Sequence, residues 1–334
     1  MPRLRRLELV VNCEGNCNLG YGDRWKIFIL ERLPLLTTFN FKFKLEHVYR
    51  NEETILYHFR NPFWLDENRH WFVAYDHRRS LLYTVPYFAP RSIVYSEIPV
   101  LPHAMTLPIE QYAIFYNMIN ELRFDSIKEE PFYRYTQVEK LVLISLNINE
   151  ALIDLSRVQS MCVNSSSWSL DMIVPLIRHS MPRLNQLSLN CIFSLKCSTS
   201  IIPLKQIRIL NMPFFAYSSN NENSDWTHLF SNIERLSITV NSCHELTFLI
   251  DRFNNLSYAL FIVNNCCINV RRNFWEPRIT REWLVENTRR LATLGDNDFT
   301  CRFDNKNIFT VYLWIGEDGK QQSNVCHRSS LYSW

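Results

Sequence analysis

Leu184-Asn185-Gln186-Leu187-Ser188-Leu189 carries the pattern apolar-x-x-apolar-x-apolar. The alternate leucines at 187 and 189 suit a strand with one buried face. One copy means little in a chain that is 47% hydrophobic. The pattern returns at Leu4-x-x-Leu7-x-Leu9, Leu36-x-x-Phe39-x-Phe41, Ile119-x-x-Leu122-x-Phe124, Val138-x-x-Leu141-x-Leu143 and Val158-x-x-Met161-x-Val163. It continues at Leu204-x-x-Ile207-x-Ile209 and Ile233-x-x-Leu236-x-Ile238, with a weaker copy at Leu256-x-x-Ala259-x-Phe261.

From Ile119 onward the starts lie 19, 20, 26, 20, 29 and 23 residues apart. A period of roughly 20 to 29 residues is that of leucine-rich repeats. Asn12, Asn241 and Asn264 follow the last apolar position by three residues, where an amide can bond the backbone as the chain leaves the strand. Between strands, Leu170, Ile173, Val174 and Ile177 have helical spacing behind Ser169, and Ser242-x-x-Glu245 reads as a capping box opening a helix to Phe253. Asp23 to Glu31 and Ser224 to Ser231 read as shorter helices. The expected fold is an α/β leucine-rich-repeat solenoid, with a parallel concave sheet and helices outside.

The strands at 36 and 119 are 83 residues apart, so the interval holds an insertion. Trp71 to Tyr75 and Leu81 to Val85 flank a five-residue loop and predict a β-hairpin, followed by a proline-punctuated irregular stretch. Near the other end, Glu282 to Leu291 reads as a helix, and Phe299 to Phe303 with Ile308 to Ile315 as a hairpin capping the last strand. The expected divisions are repeats over 1–45, the insertion over 46–112, repeats over 113–270, a C-terminal cap over 271–316 and a flexible tail over 317–334.

Composition narrows the function classes. Lys plus Arg at 36 against Asp plus Glu at 33 gives a net charge of +3, too even for a sequence-independent grip on nucleic acid or an anionic membrane. Only 6 glycines occur, none in a phosphate-cradling loop. No apolar run is long enough to span a bilayer and no secretory signal opens the chain, so a soluble cytoplasmic protein is expected, with the nucleus as a second compartment. The 10 cysteines, lacking metal-knuckle spacing, read as free thiols in a reducing compartment.

The repeats, the insertion with Asn61-Pro62-Phe63-Trp64-Leu65, Trp71-Phe72-Val73-Ala74-Tyr75 and Leu82-Tyr83-Thr84-Val85-Pro86, and the terminal Val311-Tyr312-Leu313-Trp314-Ile315-Gly316 together resemble an expanded invertebrate family of F-box proteins with leucine-rich repeats. The resemblance covers nearly the whole chain. It implies repeats that select substrates for a cullin-type ubiquitin ligase, whose adaptor an N-terminal F-box would engage. Here the first repeat begins within three residues of Met1, leaving no room for an F-box of roughly 40 to 50 residues. The expectation is therefore a chain truncated at its start or a member without ligase docking.

No Gly-x-Ser-x-Gly elbow and no H-E-x-x-H occurs, and the nine histidines form no helical i, i+4 pair. A non-enzyme with no cofactor, no metal and no catalytic residues is expected, its partner a protein. The alternatives are an adaptor or sensor unrelated to ubiquitin, and an enzyme with a pocket between insertion and solenoid. Basic pairs at Arg78-Arg79, Arg271-Arg272 and Arg289-Arg290 read as solvated surface.

Two sets of residues are candidates for partner binding. Between the core positions of each strand, Arg6 and Glu8, Glu121 and Arg123, Lys140 and Val142, Gln186 and Ser188, Gln206 and Arg208, and Arg235 and Ser237 would face the concave surface. On the insertion, Trp64, Trp71, Phe72, Tyr75, Arg78 and Tyr87 are of the types that anchor interfaces.

Overall fold

The computed structural model of the chain describes residues 3–13, 18–45, 52–66, 68–76, 79–94, 105–125, 133–144, 148, 150–191, 202–214, 226–263, 279–295, 298–304 and 309–316. Their architecture is mixed α/β, with parallel strands forming sheets and helices outside them. The chain divides into two compact units, Met1–Val138 with Ile148–Asp154, and Glu139–Asn147 with Leu155–Trp334.

The first unit begins with β1 (Arg6–Cys13), α1 (Gly22–Arg32), β2 (Thr38–Leu45) and α2 (Glu52–Tyr57), then β3 (Phe72–Asp76), β4 (Leu81–Val85) and β5 (Ser92–Val94), and ends with α3 (Tyr112–Tyr116) and β6 (Glu121–Phe124). β1 and β2 are parallel, with Leu7 opposite Phe39, Leu9 opposite Phe41 and Val11 opposite Phe43. β3 and β4 form the expected antiparallel hairpin, and β4 pairs with β2, so the sheet order is β1-β2-β4-β3. The insertion thus extends the sheet begun by the two preceding strands.

The hairpin is buried over consecutive residues from Phe72 to Tyr75 and from Leu82 to Val85. Continuous apolar runs are what a strand covered on both faces requires. This overturns the reading of Trp64, Trp71, Phe72 and Tyr75 as a binding surface, since they are only 0%, 2%, 1% and 2% exposed. Large aromatic side chains that anchor interfaces fill a core equally well, and Trp64 and Trp71 pack beside Phe39. The Trp64 indole N–H donates to the Gly22 carbonyl at 3.2 Å. Of the remaining candidates on the insertion, Arg78 lies outside the described residues and Tyr87 is exposed.

α1 is held against the α2 segment by a close approach. The His58 Nδ1 lies 2.9 Å from Asp23 Oδ2, and the Asn61 amide donates to Asp23 Oδ1 at 3.2 Å. Gly22 sits where a β-carbon would fall 2.3 Å from the His58 carbonyl oxygen.

The second unit runs β7 (Lys140–Leu143), β8 (Ser160–Val163), α4 (Leu170–Ser180), β9 (Gln186–Leu189), β10 (Ile209–Met212), α5 (Trp226–Leu229), β11 (Arg235–Val240), α6 (Cys243–Arg252), β12 (Tyr258–Val263), α7 (Arg281–Asn287), α8 (Arg289–Ala292), β13 (Phe299–Asp304) and β14 (Phe309–Ile315). β7 to β12 are parallel and adjacent in chain order. Leu141, Met161, Leu187, Leu210, Leu236 and Ala259 align across them, none more than 1% exposed.

That register corrects one copy of the pattern. Leu210 lies opposite Leu187 and Leu236, so the repeat there reads Ile207-x-x-Leu210-x-Met212 and starts three residues later than expected. The starts at 184, 207, 233 and 256 are then 23, 26 and 23 residues apart, more even than the expected series. A nearly continuous apolar run, with Ile207 and Ile209 both available, made either frame fit.

A backbone device recurs at the second position of each repeat. The carbonyl of Asn185 accepts from the amides of both Arg208 and Ile209 at 2.9 Å, and that of Arg208 accepts from Glu234 at 2.8 Å and Arg235 at 3.0 Å. Glu139, Gln159 and Glu234 do the same for the next repeat, and in the first unit Arg5 accepts from Thr37 and Thr38. The residues at this position are polar or charged because their side chains point to water while their carbonyls are engaged.

α4 buries Leu170, Ile173, Val174 and Ile177, as its spacing predicts, although the Ser169 side chain makes no capping bond. The box at Ser242 forms, its hydroxyl accepting from the Glu245 N–H at 3.2 Å while the Glu245 carboxylate accepts from the Asn241 N–H at 2.8 Å. Asn264 lies outside the described residues.

β14 runs antiparallel along β12, and β13 follows it, so a hairpin covers the last parallel strand. The single helix expected over Glu282 to Leu291 is two, α7 and α8, broken at extended Thr288. The break lets the Asp251 carboxylate on α6 accept from the N–H groups of Arg289 at 3.0 Å and Arg290 at 2.9 Å. The Arg290 guanidinium donates to the carbonyls of Phe253 and Leu256, so Arg290 is half-buried and not the solvated residue expected. Desolvation pushes its pKa down, against the opposing pull of Asp251. Arg271, Arg272 and the tail over 317–334 lie outside the described residues.

Gly22→Ala is expected to cost about 1–3 kcal/mol in chemical unfolding, because backbone must yield to the new methyl group. Gly20→Ala is the control, since its β-carbon would meet Leu45 at an ordinary 3.5 Å.

Candidate protein-binding surfaces

In a strand of this sheet the even and odd side chains part, one set going to the core beneath the helices and the other to the opposite face. On β9 the outward pair is Gln186 and Ser188, and on β11 it is Arg235 and Ser237, as the sequence predicts. The register between them places Ile209 and Asn211 on β10. Gln206 and Arg208, expected in that place, precede the strand. Arg208 is committed to the backbone device above, with its guanidinium 3.4 Å from Glu234 Oε1.

Two in-register rows result. One runs Lys140, Ser160, Gln186, Ile209, Arg235 and Tyr258. The other runs Val142, Cys162, Ser188, Asn211, Ser237 and Leu260. Val142 is buried, whereas most of the other side chains are half-buried. The second row is cross-linked by one hydrogen bond within it and one from Asn190, just past β9. The Asn211 amide donates to Ser188 Oγ at 3.0 Å, and Asn190 donates to Cys162 Sγ at 3.2 Å. Small polar groups so tied form a largely uncharged strip, less charged than the candidate residues alone imply.

Beyond β12 the antiparallel strand β14 continues both rows with aromatic rings. Trp314 stands opposite Tyr258 with centroids 5.7 Å apart, and Tyr312 stacks on Trp314 at 6.1 Å. The sequence reading missed this extension because Tyr312 and Trp314 sit in the capping hairpin, outside the repeat pattern. The signal was present in the alternation of Val311, Leu313 and Ile315 with Tyr312 and Trp314.

The first unit carries a smaller polar cluster. The Tyr87 hydroxyl donates to Glu8 Oε2 at 2.8 Å, and the Arg6 guanidinium lies over the Tyr87 ring, 5.9 Å from its centroid. On β6 the Arg123 Nε donates to Glu121 Oε1 at 2.9 Å. Both are exposed pairs of modest energetic weight. A third feature of this unit is a stack of tyrosines, in which burial, with help from Tyr112 and Tyr133, pushes the Tyr116 hydroxyl up to about 12.

Among the described residues no group of three His, Cys, Asp or Glu side chains is placed to hold a metal ion. Desolvation raises the thiol pKa values of Cys191 and Cys301, which keeps both protonated at neutral pH. No helix among the described residues is long and apolar enough to cross a membrane.

No protein-family model matches the chain, and no curated protein matches it.

Asn211→Ala is expected to destabilise the fold by about 1 kcal/mol through loss of the bond to Ser188. The double variant Asn211→Ala with Ser188→Ala should cost little more than the single one, and denaturant unfolding of the three proteins checks this coupling.

Proposed function

We propose that the chain is a non-catalytic protein-binding module built as a leucine-rich-repeat solenoid, with the open sheet face of the second unit as its docking surface. The single observation that carries this reading is the pair of in-register rows from β7 to β12, a mixed, mostly uncharged strip ending in Tyr258 and Leu260. Such a strip suits an extended protein surface, because regular spacing lets one partner engage successive strands. Half-buried Tyr258 and Tyr312 supply the aromatic anchors that usually dominate the energy of such contacts, with buried Trp314 packed against both.

The resemblance to F-box proteins with leucine-rich repeats extends the proposal to a role. If an F-box belongs to the same polypeptide, the strip selects substrates for a cullin-type ubiquitin ligase. Without one, the module is an adaptor or sensor unrelated to ubiquitin.

Chemical cross-linking and affinity capture with the tagged chain, compared with Asn211→Arg and with Phe248→Arg, tests the binding face. Phe248 is exposed on α6, on the helix side. A partner that is retained by Phe248→Arg and lost from Asn211→Arg, with both variants still folded by circular dichroism, is the expected result. Equal capture by all three proteins contradicts the assignment of the face.

A further inference from the structure

β1 ends the sheet of the first unit and has no neighbour on its outer side among the described residues. The core is open along that flank. Leu7, Leu9 and Val11 are only half-buried, while Phe39, Phe41 and Phe43 opposite them are fully buried. Val10 is 64% exposed, and the following helix α1 leaves Ile27 and Leu30 more than half exposed. The other edge of the same sheet is treated differently, since the Val73 N–H donates to Thr106 Oγ1 and its carbonyl accepts from the Thr106 N–H.

The free edge has a defined set of donors and acceptors. Because the Arg5 carbonyl accepts from Thr38, the peptide groups of the odd-numbered residues of β1 turn toward β2. Those of Arg6, Glu8 and Val10 turn outward. A strand whose outward groups meet no strand among the described residues, and which holds no proline and no lysine, is a template for another strand.

We propose that β1 pairs antiparallel with β1 of a second copy of this chain, about a two-fold axis through Leu7. Charge selects both the occupant and the register. Read antiparallel against itself about Leu7, the segment sets Arg6 opposite Glu8 of the second copy and Glu8 opposite its Arg6. Centring on Glu8 would oppose two carboxylates, and centring on Leu9 would leave both charges opposite uncharged Asn12 and Val10. Tyr87 holds both side chains at this edge, bonding Glu8 and underlying Arg6. A two-fold axis normal to the sheet also brings the helix layer of one copy beside that of the other, where an extended peptide would cover the strand alone. This association is independent of the binding role proposed for the second unit.

Light scattering and sedimentation of the full chain across a concentration series test it. The expected species has twice the 40.0 kDa chain mass. Arg6→Glu and Glu8→Arg should each weaken association by about tenfold or more, since each sets like charges opposite one another twice. Mixing Arg6→Glu with Glu8→Arg sets opposite charges across the axis twice and should recover the wild-type constant, which separates pairing between copies from the ion pair that Arg6 and Glu8 make at 3.8 Å within one copy. A chain that stays monomeric at every concentration overturns the proposal. So does a dimer indifferent to the single reversals, or one that mixing the two reversed variants fails to restore.

Discussion

One carbonyl binding two successive amides is the constraint on which the parallel sheet depends. Asn185 links forward to Arg208 and Ile209, Arg208 to Glu234 and Arg235, and Glu234 to Ser257 and Tyr258. Each link fixes the start of a strand relative to the strand before it, and so fixes which side chains face the core. A slip of one residue would turn every side chain of that strand to the wrong face. The helices between strands can therefore vary in length, as short α5 and longer α4 do, without disturbing the alignment of Leu187, Leu210 and Leu236.

The same constraint separates packing from recognition. One set of positions is used up by the core, and the residue before each strand by the backbone link, which leaves two outward positions per strand free to vary. Parallel stacking must stop somewhere. β14 ends it by reversing direction along β12, and Arg290 ties α8, which lies between those two strands in the chain, to the carbonyls of Phe253 and Leu256. The first unit handles its two edges unequally, one met by Thr106 and the other, at β1, without a neighbour among the described residues.

Much of this was legible in the residues because apolar spacing reports burial directly. The strands of β9 and β11, the buried stripe of α4, the capping box at Ser242 and both hairpins follow from spacing and turn signals alone. The frame at β10 did not, because Leu204, Ile207, Ile209 and Leu210 satisfy the pattern in more than one way and only the alignment with neighbouring strands decides. Trp64, Trp71, Phe72 and Tyr75 were misjudged for a different reason: aromatic side chains serve interfaces and cores alike. The uninterrupted apolar run from Trp71 to Ala74 was the available signal for burial on both faces. The break at Thr288 depends on Asp251, distant in sequence, and local spacing does not report it.

The register of β10 is the most direct point at which to test the account, because the two possible frames exchange the roles of neighbouring residues. Unfolding free energies should be measured for Leu210→Ala and Ile209→Ala. The account predicts a loss of about 2–5 kcal/mol for Leu210→Ala, whose side chain is fully buried, and a clearly smaller one for half-buried Ile209→Ala. The reverse order, with Ile209 the costlier position, would contradict the in-register ladder from which the rest is built.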